Sequence, residues 1–140
     1  MLCEEMMKSE IECVTPADTV EKAAARMRDL NVGFLPVCDQ SKKVLGAITD
    51  RDIAIRVVAA RKAGSTPVED VMTREVISCR PGDDVQKAQQ LMAQNQKSRI
   101  MCLDKAGRLM GIISLSDIAQ QDGEMASDTL RQVTAREARV

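Results

Sequence analysis

Gly46 to Asp52 reads GAITDRD and Gly111 to Asp117 reads GIISLSD, so one order of residues occurs twice at an offset of 65: glycine, two apolar residues, a hydroxyl, two variable positions, an aspartate. Thr49-x-x-Asp52 and Ser114-x-x-Asp117 have the spacing of a capping box, in which hydroxyl and carboxylate satisfy backbone amides at a helix start. The same residues suit a second use. A carboxylate just inside a helix can accept two hydrogen bonds from vicinal hydroxyls, as on a ribose, while the helix amides and dipole favour an anion. A glycine three residues before the hydroxyl would let a ligand approach the strand backbone closely. Arg51 offers forked donors to phosphate oxygens. Its counterpart in the second copy is Ser116, which predicts unequal affinity for charged ligands.

Other chemistries are poorly supplied. The chain has no histidine, and its cysteines (Cys3, Cys13, Cys38, Cys79, Cys102) contain no C-x-x-C pair. That leaves neither a zinc set nor a Cys-His nucleophile pair. The cysteines read as reduced, mostly buried small hydrophobes, with a Cys13 to Cys79 contact left open. Without a nucleophile and base, no enzyme is expected, and Asp50-Arg51-Asp52 reads as a solvated helix start rather than a catalytic carboxylate pair. Lys plus Arg (20) nearly balances Asp plus Glu (21), so there is no basic field for nucleic acid or an anionic membrane. Phe34 is the only aromatic residue, so a bound base would be clamped by aliphatic side chains and backbone. The acidic start MLCEEMMKSEIEC lacks the pattern of a signal peptide, and no apolar run approaches the roughly 20 residues that span a bilayer. A cytoplasmic protein is expected.

The elements that must position the two motifs come from a duplication. Residues 7–54 align with 72–119 without a gap, with identities that include Met7/Met72, Pro16/Pro81, Asp18/Asp83, Val20/Val85, Met27/Met92, Gly46/Gly111, Ile48/Ile113 and Asp52/Asp117. Each copy predicts an extended segment ending at Pro16 or Pro81. A helix follows from the capping spacing at Asp18 or Asp83 through about Leu30 or Asn95, then an apolar hairpin and a second helix from Thr49 or Ser114. The expected fold class is α/β (α+β), two β-α-β-β-α repeats packed about a pseudo-two-fold axis with clefts along the seam. The expected divisions are 1–62, 63–122 and a helical tail at 123–140. Thr66-Pro67 predicts an N-cap followed by proline at the first position of a short helix over 68–72. Residues 53–60, IAIRVVAA, are apolar apart from Arg56, which assigns their face to a homodimer contact. The tail from Ser127 to Ala138 predicts a surface or intermolecular helix.

The tandem units, the Pro-x-Asp helix starts, Leu35-Pro36-Val37 and the paired G-h-h-[ST]-x-x-D signatures resemble a pair of cystathionine-β-synthase (CBS) domains, a Bateman module. The resemblance covers roughly residues 3–122, and the overall size is similar to that of small stand-alone bacterial CBS-pair proteins, whose family includes a mycobacterial hypoxic-response protein. It implies a regulatory module binding AMP, ADP, ATP or S-adenosylmethionine, with no catalytic cofactor, no metal and an unknown downstream protein partner. By this resemblance Asp52 and Asp117 hold ribose hydroxyls, with Thr49 and Ser114 as the motif hydroxyls. Adenine contacts map to Ser78, Arg99, Ile100 and Met101 for the site of Asp52, and to Cys13, Phe34, Leu35 and Pro36 for that of Asp117. Met101 stands where the family has proline, and Cys13 where a hydroxyl is common. The alternative is a ligand-free dimeric interaction scaffold.

Overall fold

The computed structural model describes residues 1–121 and 123–135, the side chains of 123–126 excepted. Helices and short strands mix in the α+β class, and they fall into two compact units. One is Glu12–Val76; the other joins Met1–Ile11 to the chain from Ile77 onward.

In the first unit, helix α2 (Val20–Leu30) is followed by strands β1 (Phe34–Cys38) and β2 (Val44–Thr49), which pair antiparallel with Phe34 opposite Thr49. Val14 bridges β1 in parallel at Val37, and Thr73 bridges β2 antiparallel at Ala47. Helix α3 (Asp50–Ile53) runs into a π-helical turn, Ala54–Val58, and a 3-10 turn covers Val68–Asp70. The core gathers Val14, Val20, Ala23, Met27, Leu35, Val37, Ile48, Val57 and Val68.

The second unit repeats this plan with residues that the offset of 65 makes equivalent. Strand β3 (Ser78–Cys79) runs parallel to β4 (Arg99–Leu103), which pairs antiparallel with β5 (Leu109–Ser114), and Lys8 bridges β5 at Ile112. Helix α4 (Val85–Asn95) crosses over between β3 and β4, and α5 (Leu115–Gln121) follows β5. Helix α1 (Cys3–Met6) is fixed by the Cys3 N–H donating to the Asp83 carbonyl at 2.8 Å and by burial of Cys3 beside Cys79, Val85 and Ile113.

The division at 62/63 predicted by the duplication therefore differs from the structural boundaries at 11/12 and 76/77. Lys8 and Thr73 occupy equivalent positions, yet Lys8 pairs with the unit that lies after it in the chain and Thr73 with the unit that lies before it. Each copy's leading segment completes the other copy's sheet.

Several local expectations shift for identifiable reasons. The helix caps fall one residue later than Asp18 and Asp83: Thr19 Oγ1 accepts from the Lys22 N–H and Asp84 Oδ1 from the Gln86 N–H. Asp18 and Asp83 instead accept from the Thr15 and Arg80 N–H groups, closing the turns before the helices. The Thr66 hydroxyl donates to the Ala63 carbonyl at 2.6 Å, so it braces its own turn rather than capping the next one. Within the helix expected over 53–60, Val57 is in the core while Ile55 and Val58 are 48% and 70% exposed. Arg56 does not simply face water, because its Nη1 donates to the Val71 and Met72 carbonyls at 3.2 Å each. The tail forms helix α6 (Gly123–Val133), which packs on α4 and α5 of its own unit with Thr129 and Val133 buried. Ser127, Asp128, Leu130, Arg131 and Gln132 are exposed, as expected of a surface helix, but the helix starts at Gly123 rather than Ser127 and its buried face packs within its own unit; residues 136–138 of the expected helix lie outside the described residues. No helix of the described residues is long and apolar enough to cross a membrane.

Candidate ligand-binding site

Each repeated heptad sits at a strand-to-helix junction, β2 into α3 and β5 into α5, and each forms its capping box. The Thr49 N–H donates to Asp52 Oδ2 at 3.0 Å, and the Asp52 N–H donates to Thr49 Oγ1 at 3.1 Å. In the second copy the Ser114 N–H donates to Asp117 Oδ2 at 2.8 Å, and the Asp117 N–H to Ser114 Oγ at 3.2 Å. These reciprocal bonds fix both carboxylates at helix starts, and both side chains are only 9% exposed.

The remaining acceptor capacity of each carboxylate meets a different partner. The Thr73 hydroxyl lies 3.1 Å and 3.2 Å from the two oxygens of Asp52, a shared bond from one hydrogen. Arg56 Nε stands 3.8 Å from Asp52 Oδ1. At Asp117 the partner is Lys8, whose Nζ is 3.3 Å from Oδ1 while its side chain is 74% exposed. Thr73 and Lys8 are equivalent in the repeat, so the strand segment bridging each hairpin carries a donor to the motif carboxylate. Sequence reasoning missed Lys8, Thr73 and Arg56. The first two stand at the start of each copy, in a segment whose partner a duplication does not specify.

The glycines have a different purpose from the ligand approach that their position suggests. A Cβ on Gly46 would lie 2.5 Å from the Thr73 carbonyl oxygen, and one on Gly111 would lie 2.5 Å from the Met7 sulfur. The space beside each glycine is taken by the bridging segment of the chain itself. That segment needs it, because Ala47 and Thr73 exchange two backbone hydrogen bonds of 2.9 and 2.8 Å there, and Lys8 and Ile112 do the same at 2.9 and 3.0 Å.

The other candidate residues divide by exposure. Arg51, Ser78 and Arg99 are exposed, and Cys13 and Phe34 are partly exposed. Leu35, Pro36, Ile100 and Met101 are buried, so only their backbones could meet a base. Within the units, β-pairing sets Phe34 opposite Thr49, Arg99 opposite Ser114, and Ser78 opposite Met101. Ser114 Oγ is 2.7 Å from the Ser116 hydroxyl, which occupies the place that Arg51 has in the first copy.

Thiol groups also gather where no sequence spacing announced it. The Cys3, Cys79 and Cys102 sulfurs lie within 4.8 Å of one another and are buried. Burial, reinforced by the neighbouring Cys79, pushes the Cys3 thiol up to about 12, and the hydrogen bond with Cys102 together with burial pushes Cys79 up as well, so both are held as neutral thiols. A soft metal ion could be held there only with release of those protons. Cys13 and Cys38 form a separate pair, with sulfurs 3.2 Å apart.

Comparison with known proteins agrees with this architecture. The family model described as CBS domain matches residues 3–59 and again 68–123. The CBS domain-containing protein YhcV of Bacillus subtilis is 38% identical over 130 residues, covering 91% of each chain. Hypoxic response protein 1 of Mycobacterium tuberculosis is 30% identical over 123 residues, 87% of this chain and 85% of that one. Among solved structures, the CBS domain pair of protein MJ0100 in complex with 5′-methylthioadenosine and S-adenosyl-L-methionine superposes with a TM-score of 0.78 at 25% identity, covering 89% of this chain and 97% of that one. Two family matches, one per repeat, with relatives of similar length and a common fold, make this chain a member of the CBS domain family, carrying two CBS domains in tandem.

Proposed function

We propose that the protein is a regulatory adenosine-ligand sensor, binding AMP, ADP, ATP or S-adenosylmethionine and acting as a homodimer. The observation that carries this reading is the pair of largely buried carboxylates, Asp52 and Asp117, held by the Thr49 and Ser114 backbone N–H groups and each meeting a further donor, Thr73 or Lys8, that a ligand can replace. Exchanging the Thr73 hydroxyl for a ribose hydroxyl trades like for like, at the cost of one side-chain rotation. The complex of the MJ0100 domain pair with 5′-methylthioadenosine and S-adenosyl-L-methionine supports the ligand class. In this reading Thr49 and Asp52, or Ser114 and Asp117, hold the ribose, and Arg51 meets any phosphate. Ile55 and Val58, exposed on the turn after α3, supply the apolar contact of the dimer.

Calorimetric titration of nucleotide-stripped protein with the four ligands tests this, alongside Asp52→Ala. The variant is expected to lose at least about tenfold in affinity, or about 1.4 kcal/mol, while losing only about 0.5–2 kcal/mol of stability with its cap. Unchanged affinity in Asp52→Ala overturns the assignment. One observation favours the ligand-free scaffold as second reading: both motif carboxylates already have protein donors, Thr73 and Lys8. Absence of heat with all four ligands would select it.

A further inference from the structure

Cys13 and Cys38 are brought together by the parallel bridge between Val14 and Val37, whose hydrogen bonds run from the Val14 N–H to the Pro36 carbonyl and from the Cys38 N–H to the Val14 carbonyl, both at 2.9 Å. The two cysteines flank that bridge, one just before it on the opening strand and the other just after it on β1. Their sulfurs are 3.2 Å apart, with the Cys38 thiol donating to Cys13. The pair is unequal: Cys13 is partly open to solvent, while Cys38 is 2% exposed.

We propose that Cys13 and Cys38 are a reversible thiol–disulfide site that reacts with small-molecule disulfides, with Cys13 as the attacking sulfur and Cys38 as the resolving one. The Cys13 thiolate attacks one sulfur of the small disulfide; the S–S bond breaks, and one small thiolate leaves. Cys38 then gives up its proton and attacks the Cys13 sulfur of the mixed disulfide, expelling the second small thiolate. The protein pair loses two electrons and the small disulfide gains them. A small dithiol reverses both steps.

Geometry and electrostatics order the steps. The hydrogen bond from Cys38 lowers Cys13 to about 7 against the opposing effect of burial, and the Lys42 cation adds to the lowering. Cys38 moves the other way, because its hydrogen bond to Cys13, its burial and the nearby charges of Cys13 and Asp39 all oppose a second anion, Lys42 offsetting them only in part. The exposed sulfur is therefore the nucleophile and the buried one waits for a mixed disulfide to form. The trio in the other unit is the internal control. Cys79 lies 3.4 Å from Cys102 and 3.7 Å from Cys3, hardly farther apart, but all three are buried. Proximity without access should leave them inert. The new bond would tie the opening strand to the far end of β1, the strand whose near end pairs with the motif residue Thr49. This inference does not rest on the ligand reading, although Cys13 is also among the residues that the family resemblance maps to a base contact.

The test incubates the full chain with graded mixtures of glutathione and oxidised glutathione, quenches by alkylation and maps the cysteine peptides by mass spectrometry. The Cys13–Cys38 disulfide should form first, with Cys3, Cys79 and Cys102 still alkylated after denaturation. Cys38→Ser should stop at a glutathione adduct on Cys13, and Cys13→Ser should slow oxidation of Cys38 by at least about tenfold. Should Cys38→Ser fail to fold by circular dichroism, the wild-type map and Cys13→Ser still decide. A Cys79–Cys102 bond forming first, or Cys13 reacting no faster than the buried trio, overturns the proposal.

Discussion

Replacing Gly46 or Gly111 by alanine separates two explanations of the repeated glycine, room for a ligand or room for the chain. Neither glycine has a positive φ, so alanine is conformationally allowed at both and, by restricting the unfolded chain, would stabilise by about 0.4–1 kcal/mol if space were free. At Gly46 the new Cβ meets the Thr73 carbonyl oxygen at 2.5 Å, with the Thr73 carbonyl carbon and Arg74 Cα next at 3.3 and 3.4 Å. All three are backbone atoms, so relief requires the bridging strand to retreat. Overpacking of this kind costs about 1–3 kcal/mol, and retreat weakens the two Ala47–Thr73 hydrogen bonds, each contributing about 0.5–1.5 kcal/mol. The expected net loss for Gly46→Ala is about 3 kcal/mol, a large fraction of a domain's stability. At Gly111 the obstacle is the Met7 side chain, whose sulfur and Cγ lie at 2.5 and 2.6 Å and can turn away, although its Cβ at 2.9 Å cannot do so freely. Gly111→Ala should therefore cost only about 1 kcal/mol, and Met7→Ala should recover part of it. With neither Trp nor Tyr in the chain, urea unfolding is followed by far-UV circular dichroism. Equal midpoints for Gly46→Ala and wild type, or a larger loss at Gly111, would refute the view that the glycines admit the bridging strands.

The exposed and buried faces of the turn after α3 give a second check. Val58→Glu, at a side chain 70% exposed, should give a folded monomer by light scattering, and a persisting dimer would remove this face from the proposed interface. Val57→Glu cannot serve that purpose, because it places a charge in the core and should lose about 3–5 kcal/mol of stability. In the β1–β2 hairpin, Asp39 Oδ1 accepts from the Ser41 N–H and hydroxyl and the Lys43 N–H, and the Ser41 hydroxyl bond foremost holds the carboxyl below its ordinary value of 3.8. A depressed folded-state pKa contributes stability above the unfolded value and loses it as pH falls through the folded one. Asp39→Asn keeps the Oδ1 acceptor at every pH, so its urea midpoint should fall less than that of wild type between pH 5 and about 2; parallel curves would contradict this.

The fold was legible in the sequence because the duplication supplies the same evidence twice. Pro16 and Pro81, Val20 and Val85, Ile48 and Ile113 mark the same strand end, helix face and core strand in both copies, and the helices do end at Leu30 and Asn95. The exchange of leading segments was not legible. Lys8 and Thr73 join their sheets through single bridges, too short to show alternation, and a one-residue bridge has no hydrophobic pattern by which to choose its partner. The capping boxes at Thr49 and Ser114 were legible from spacing alone, whereas the caps after Pro16 and Pro81 fall one position beyond Asp18 and Asp83, because aspartate serves a turn as readily as a cap. The thiol groupings depend on contacts across the sheets, between residues as far apart in sequence as Cys3 and Cys79, which no local pattern encodes.

The exchanged segments also revise the expected inequality between the two motifs. Replacement of Arg51 by Ser116 leaves the second heptad without a cation of its own, which by itself predicts weak binding of phosphates there. The structure supplies one from outside the heptad, since Lys8 sits 3.3 Å from Asp117 while Thr73, its equivalent, brings only a hydroxyl to Asp52. The first motif has two exposed cations, Arg51 beside Asp52 in sequence and Arg56 3.8 Å from its carboxylate, and the second has Lys8. Arg51 precedes Asp52 on the same helix start, whereas Lys8 is already paired with Asp117. A ribose that claims Asp117 must release Lys8, and the freed ammonium on its flexible stem then becomes available to an anion. Under the proposed ligand reading, sugar and phosphate recognition would be coupled through Lys8 at the second motif, whereas at the first the carboxylate's side-chain partners are Thr73 and Arg56, and Arg51 would meet phosphate without releasing it. Lys8→Thr, which copies the first motif's partner into the second, should weaken binding of ATP to the second site more than binding of adenosine; equal losses for the two ligands would show that Lys8 serves only the fold.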